Sequence, residues 1–157
     1  MIKRELYMKR IRPFIGNDLI KVMTGVRRAG KSVMLELVQE ELLEAGVSQS
    51  QFICINFENM QYAHLQTAQN LHSEILERAA EIKGKVYLFF DEIDKMGGAS
   101  KKEASPYSLA MERIKTFKTQ SKVYACSTPT LKTNYIWQLH DSADEVREYF
   151  VPCPHCE

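Results

Sequence analysis

Short apolar runs alternate along this chain with stretches whose apolar residues recur at helical spacing. Leu19-Ile20-Lys21-Val22-Met23-Thr24 reads as a mostly apolar strand. Phe52-Ile53-Cys54-Ile55-Asn56-Phe57 reads as a second, apolar on both faces as a strand inside a parallel sheet is. Residues 86–90 predict a third strand and Lys122-Val123-Tyr124-Ala125-Cys126-Ser127 a fourth. Between the first two, Val33, Met34, Leu37, Val38, Leu42 and Leu43 predict a helix over 32–45, closed by Gly46. Leu71, Ile75, Ala79 and Ile82 share one face of a helix over 67–83, with Gly84 after it. Residues 95–105 are loop by composition. Ser105 as N-cap and Pro106 at the first helical position then predict a helix to about residue 118, with Leu109, Ala110, Ile114 and Phe117 inward. A short helix over 131–139, carrying Trp137, and a further strand over 145–151 complete the pattern. Such alternation predicts an α/β fold of three layers, αβα, with a mainly parallel sheet and helices on both faces.

Chemistry enters at the first strand-to-helix junction. Gly25-Val26-Arg27-Arg28-Ala29-Gly30-Lys31-Ser32 spells G-x-x-x-x-G-K-S, the phosphate-binding loop of nucleotide hydrolases. The strand before it and the helix after it form an anion cradle, in which loop N–H groups and the helix N-terminus face the phosphates. Lys31 would reach the β- and γ-phosphates, and the Ser32 hydroxyl would complete a magnesium shell. Such a pattern recurs by chance, but a second motif follows where the first requires one. The third strand, Val86-Tyr87-Leu88-Phe89-Phe90, ends in Asp91-Glu92. Asp91 would hold magnesium through its water shell, and Glu92 would polarise the attacking water. The fourth strand ends in Ser127-Thr128-Pro129-Thr130. Ser127, or Thr128, would sense the γ-phosphate there, or the segment is an ordinary turn before proline. Arg27 and Arg28 lie within the loop, where an arginine can stabilise γ-phosphate charge in cis or face solvent as filler. Arg113 and Arg147 are weaker candidates for a finger reaching a neighbouring subunit's nucleotide.

Composition narrows the class. With 157 residues, 45% of them hydrophobic and 26% charged, the chain can bury the core of one domain. A net charge of +1 gives no global case for nucleic acid. Residues 1–12, however, carry Lys3, Arg4, Lys9, Arg10 and Arg12 against only Glu5, a basic arm that reads as solvated before it reads as phosphate-bound. No apolar run of membrane-spanning length and no signal peptide is visible, so no membrane partner and a cytoplasmic location are expected. Cys54 and Cys126 lie in strand-like runs and read as small buried hydrophobes. Cys153 and Cys156 form a Cys-x-x-Cys pair, two of the four ligands of tetrahedral zinc, with His155 between them. No complete zinc site is expected, and His64, His72 and His140 have no ligand-like spacing.

Two family resemblances meet in the middle of the chain. Residues 1–94 resemble the AAA-type ATPases of bacteria and archaea that are usually followed by a separate C-terminal domain. The matching stretches are Ile2-Lys3-Arg4-Glu5-Leu6-Tyr7, the run from Ile20 to Ser32, Ile55-Asn56-Phe57-Glu58 and Tyr87-Leu88-Phe89-Phe90-Asp91-Glu92-Ile93. From about Asp91 to residue 157 the chain resembles the ATPase region of phage terminase large subunits of the GpA kind. There the matching stretches are Pro106-Tyr107-Ser108-Leu109-Ala110, Cys126-Ser127-Thr128-Pro129-Thr130 and Tyr149-Phe150-Val151-Pro152-Cys153-Pro154-His155-Cys156. The first resemblance implies ATP binding and slow hydrolysis, and the second implies DNA packaging. Together they suggest a composite chain joined at or just after Asp91-Glu92. The expected organisation is a P-loop ATPase domain over 1–150, AAA-like to 94 and terminase-like from 95, followed by a truncated Cys-x-x-Cys tail over 151–157.

The resulting expectation is a P-loop domain of ASCE or AAA type that binds ATP with Mg2+ and hydrolyses it, using Gly25, Val26, Arg27, Arg28, Ala29, Gly30, Lys31 and Ser32 as the cradle. Double-stranded DNA and further copies of the chain are the expected partners beyond ATP. The alternatives are a terminase fragment for DNA packaging and a non-catalytic nucleotide-binding module.

Overall fold

A computed structural model of the chain describes residues 4–95, 121–129 and 134–147. Helix α1 covers Glu5–Ile15, strand β1 Lys21–Thr24, helix α2 Lys31–Glu44, strand β2 Phe52–Asn56, helix α3 Ala68–Ala80, strand β3 Val86–Asp91, strand β4 Ser121–Ser127 and helix α4 Tyr135–Asp141. Single 3-10 segments lie at Gln49–Gln51, Met60–Leu65 and Ile93–Lys95. Among the described residues the four strands form one all-parallel sheet in the order β1-β4-β3-β2. This is the α/β arrangement that the alternation of apolar runs predicts. The helix expected over 106–118 lies outside the described residues, as does most of the strand expected over 145–151; residues 145–147 carry no regular structure.

Each strand feeds two apolar layers because successive side chains alternate between the faces of a sheet. One face places Ile53, Ile55, Leu88, Phe90, Val123 and Ala125 against Leu71 and Ile75 of α3 and Ile136 of α4. The other places Phe89, Tyr124 and Cys126 against Met34, Leu35, Leu37, Val38 and Leu42 of α2. The Phe89 and Tyr124 rings stack with centroids 4.9 Å apart. Local signals set the helix ends. The Thr67 side chain accepts from the Asn70 N–H, so α3 begins one residue later than its periodicity suggests. Gly84, at φ +98°, takes the chain out of the helical region before β3.

Two expectations need correction. From residue 5 onward the basic stretch is not an arm but helix α1, which buries Met8 in the α2 layer while Lys9, Arg10 and Arg12 stay exposed, as the solvated reading expects. Arg12 links the two helices by bonding Glu5 and Glu41, which raises its guanidinium pKa further. Cys54 is exposed, whereas Cys126 is buried as expected. The reason is position: β2 is an edge of the described sheet, so its burial alternates instead of covering both faces. Ile53 and Ile55 turn into the α3 layer, and Cys54 turns to the α2 side beside a cavity.

At the opposite end of the strands, Lys122 is buried and bonds the Gly16 carbonyl at 3.0 Å and the Asp18 carboxylate. The Lys122 ammonium holds the Asp18 carboxyl below its ordinary range. The half-buried Lys21 donates to the Asn17 carbonyl at 2.7 Å, yet burial and then the charge of Lys122 pull its pKa down to about 8. An unfolded lysine titrates near 10.4, so between about pH 8 and 10 the unfolded state holds more protons and this group adds stability as pH rises. Lys21→Met removes that slope. The stability of wild type relative to Lys21→Met should therefore rise by about 1 kcal/mol over this interval, after discounting for the solvent-exposed half of the side chain. Thermal melts of both proteins at pH 7.5 and pH 10 check it; a constant difference would show that Lys21 keeps an ordinary pKa.

Candidate functional site

The strand order decides where the motifs meet. Because β4 lies between β1 and β3, the loop after β1, the acidic residues after β3 and the Ser127-Thr128 segment after β4 open on the same end of the sheet. In the Gly25–Ser32 loop two residues take left-handed backbone, Arg28 at φ 64° and Gly30 at φ 81°. Gly30 caps α2, whose first turn contains no acidic side chain to compete for its free N–H groups. A Cβ at Gly30 would meet only the movable end of the Arg4 guanidinium, at 2.5–2.7 Å, so it is the left-handed backbone that favours glycine there. Arg4 donates to the Ala29 carbonyl at 2.7 Å. This residue belongs to the stretch read as a solvated arm, and nothing in its local pattern ties it to the loop.

Lys31 is buried, although it is a lysine at the first position of a helix. Its ammonium donates to the carbonyls of Gly25 and Val26, both at 3.1 Å, and to the Thr128 hydroxyl at 2.7 Å. The loop therefore closes around its own lysine, and that lysine reaches the end of β4. Gly25 is partly buried, while Val26, Arg27, Arg28, Ala29 and Ser32 are exposed along the loop rim.

Asp91 ends β3, and Glu92 follows at φ 52°, an unusual conformation for a residue with a side chain. Departures of this kind concentrate where the surrounding structure holds a functional group in place. Ser127 is fully buried; its hydroxyl lies 3.5 Å from a Glu92 carboxylate oxygen and accepts from the Asp94 N–H at 3.4 Å. Of the two alternatives at the end of β4, Thr128 faces Lys31 and Ser127 faces Glu92. The Asp91 carboxylate receives the Cys126 thiol at 2.9 Å on one oxygen and the Asn56 amide at 3.3 Å on the other. Burial first, then the neighbouring Asp91, push the Cys126 thiol pKa well up, so it stays protonated. Asp94 accepts from the Ile136 N–H at 2.9 Å and thereby ties the acidic segment to the start of α4.

A cavity of about 270 Å³ opens beside these groups, lined among others by Ser32, Glu36, Cys54, Asn56, Tyr62 and Asp91. Ser32 and Asp91, the two side chains expected at a magnesium ion, thus border one space. Their oxygens are hard donors suited to an ion that keeps several waters, and the residues present fit such an ion. Among the described residues no group of three or more His, Cys, Asp or Glu gathers as a metal site.

The remaining candidates stand apart. Arg147 pairs with Glu145 and lies over the Phe14 ring, 4.5 Å from its centroid. Arg113 and the Cys153–Cys156 pair lie outside the described residues. His64 is near Glu74 at 4.0 Å, and the His140 ring stacks on Trp137 at 5.4 Å. No helix among the described residues is long and apolar enough to cross a membrane.

A parallel α/β sheet with a glycine-bounded loop between its first strand and a helix, and with carboxylates on a strand two places away, has the architecture of a P-loop NTPase-like fold. The family model for the phage terminase large subunit gpA ATPase domain matches residues 67–157, more than half of the chain, and the chain belongs to that family. The match contains the whole stretch whose motifs carry the terminase resemblance and reaches back to the start of α3. An uncharacterized protein of Haemophilus influenzae is 36% identical over 101 residues, covering 64% of this chain and 25% of that protein. The aligned part thus spans about a quarter of the relative's length.

Proposed function

We propose that this chain binds Mg-ATP at the Gly25–Ser32 loop and hydrolyses it as the ATPase part of a DNA-translocating motor. One observation supports this reading above the others: the Lys31 ammonium spans from the loop carbonyls to Thr128 at 2.7 Å, joining the loop after β1 to the end of β4. Phosphate oxygens would replace those carbonyls as partners for Lys31. N–H groups of the exposed loop residues and of the start of α2 would take the remaining phosphate charge. Ser32 and Asp91 would hold a magnesium ion, which would supply neutralisation of the phosphate charge. Glu92 orients and polarises the attacking water, and Ser127 holds the Glu92 carboxylate. Thr128, in contact with Lys31, reports the state of the γ-phosphate to β4. Arg28, raised on left-handed backbone at the loop rim, is placed to offset γ-phosphate charge in cis.

The DNA part of the proposal draws on family membership. Terminase ATPase domains work on DNA in oligomers, and double-stranded DNA with several copies of this chain is the assembly to test. Phosphate release from Mg-ATP should increase several-fold when double-stranded DNA is added to the purified chain. Turnover that ignores DNA at every length tried would limit the function to an ATPase unconnected to translocation.

A further inference from the structure

We infer that Asn56 and Cys126 are positioning residues that fix the Asp91 carboxylate from the two strands beside it, and so set how strongly nucleotide binding depends on magnesium. The inference rests on reading Asp91 as a magnesium residue.

The sheet register brings the three residues together. Asn56 of β2 is the Cα partner of Asp91 of β3, and Cys126 of β4 is its partner on the other side. Partners in a parallel sheet lie about 4.8 Å apart and point to the same face, so short polar side chains there can bond laterally. They do. The Asn56 amide donates to one carboxylate oxygen at 3.3 Å, and the Cys126 thiol donates to the other at 2.9 Å. The orientation of the Asn56 amide is itself determined, because its carbonyl oxygen accepts the Glu58 N–H at 2.9 Å, leaving the NH2 for Asp91. The backbone closes the same corner: the Phe57 N–H donates to the Asp91 carbonyl at 3.0 Å. Cys126 is fully buried and packed in the α2 layer, so its sulfur has little freedom to swing away.

Each carboxylate oxygen has more than one acceptor direction, so one bond per oxygen leaves further acceptor capacity on each, and Asp91 lines the cavity it shares with Ser32. A carboxylate clamped on both sides holds its remaining lone pairs in one direction; an unclamped one must lose rotational freedom when an ion arrives. Outer partners of metal-binding groups typically contribute 10–100-fold to metal affinity.

The test measures affinity of the full chain for a non-hydrolysable ATP analogue in magnesium and again in EDTA; the ratio is the magnesium gain. Asn56→Ala and Cys126→Ala should each reduce that gain about ten-fold and leave the EDTA affinity unchanged. Cys126→Ser keeps a donor and should stay within about three-fold of wild type. Should Cys126→Ala fail to fold, Cys126→Val fills the space without a donor and should show the same loss. Electron paramagnetic resonance of Mn2+ with the analogue should broaden in the same variants. Asp91→Asn is the reference. If it abolishes the gain while both alanine variants keep it, the bracing role is wrong and Asp91 stands. If Asp91→Asn keeps the gain, the magnesium reading of Asp91 fails and the brace fails with it.

Discussion

Lys31→Ala should lower affinity for ATP roughly 100-fold, the equivalent of about 3 kcal/mol for a buried, charged hydrogen-bonding group. The expectation follows from where the side chain lies. Lys31 is enclosed by the loop, and its bonds to two carbonyls and one hydroxyl leave its charge poorly solvated. A phosphate is a far better partner than those dipoles, so the exchange favours nucleotide. Alanine removes the charge and the link to Thr128 together. Isothermal titration with Mg-ATP reads the effect, and a thermal melt beside it checks that α2 still forms. Lys31→Arg should not rescue binding, because a planar guanidinium fork does not reproduce the compact ammonium that bonds two carbonyls and one hydroxyl. Affinity within a few-fold of wild type in Lys31→Ala would place the nucleotide elsewhere.

Glu92→Gln should separate binding from chemistry. Glutamine keeps the shape and the contact with the Ser127 hydroxyl at 3.5 Å but cannot take a proton from water. Removal of a positioned base lowers turnover by about 100- to 10,000-fold, and affinity for Mg-ATP should change less than about three-fold. Single-turnover hydrolysis with labelled ATP measures the first quantity and titration the second. Glu92 also sits at φ 52°, so Glu92→Gly, which relieves the backbone, should be as inactive as glutamine but more heat-stable than Glu92→Ala. Hydrolysis at the wild-type rate by Glu92→Gln would mean that another group activates the water.

Much of this arrangement is legible along the chain because it depends on neighbours in sequence. Apolar runs bounded by Gly25, Gly84 and Asp91 mark strands within one or two residues of their observed limits, since a buried parallel strand needs little beyond unbroken apolar character. The Gly25–Ser32 motif is local for the same reason: the tight turn, the left-handed Gly30 and the helix start are consecutive. Helix α1 could also have been found, because Met8, Ile11 and Ile15 recur at helical spacing and all pack in the α2 layer. Its basic residues and Pro13 obscured that signal. Cys54 departs from the buried position expected of it because edge and central strands look alike until the strand order is known. Arg4, Asn56, Cys126 and Asp94 form a different class. Their contacts with Ala29, Asp91 and α4 join residues far apart in sequence, and sheet register and helix docking, which single-chain periodicity does not encode, create them.

Hydrolysis of Mg-ATP by the purified wild-type chain, followed as phosphate release beside Glu92→Gln from an identical preparation, tests the central claim most directly. The account predicts steady turnover by wild type that falls at least about 100-fold in Glu92→Gln. Equal rates in the two proteins, or no release by wild type at saturating Mg-ATP, would contradict it.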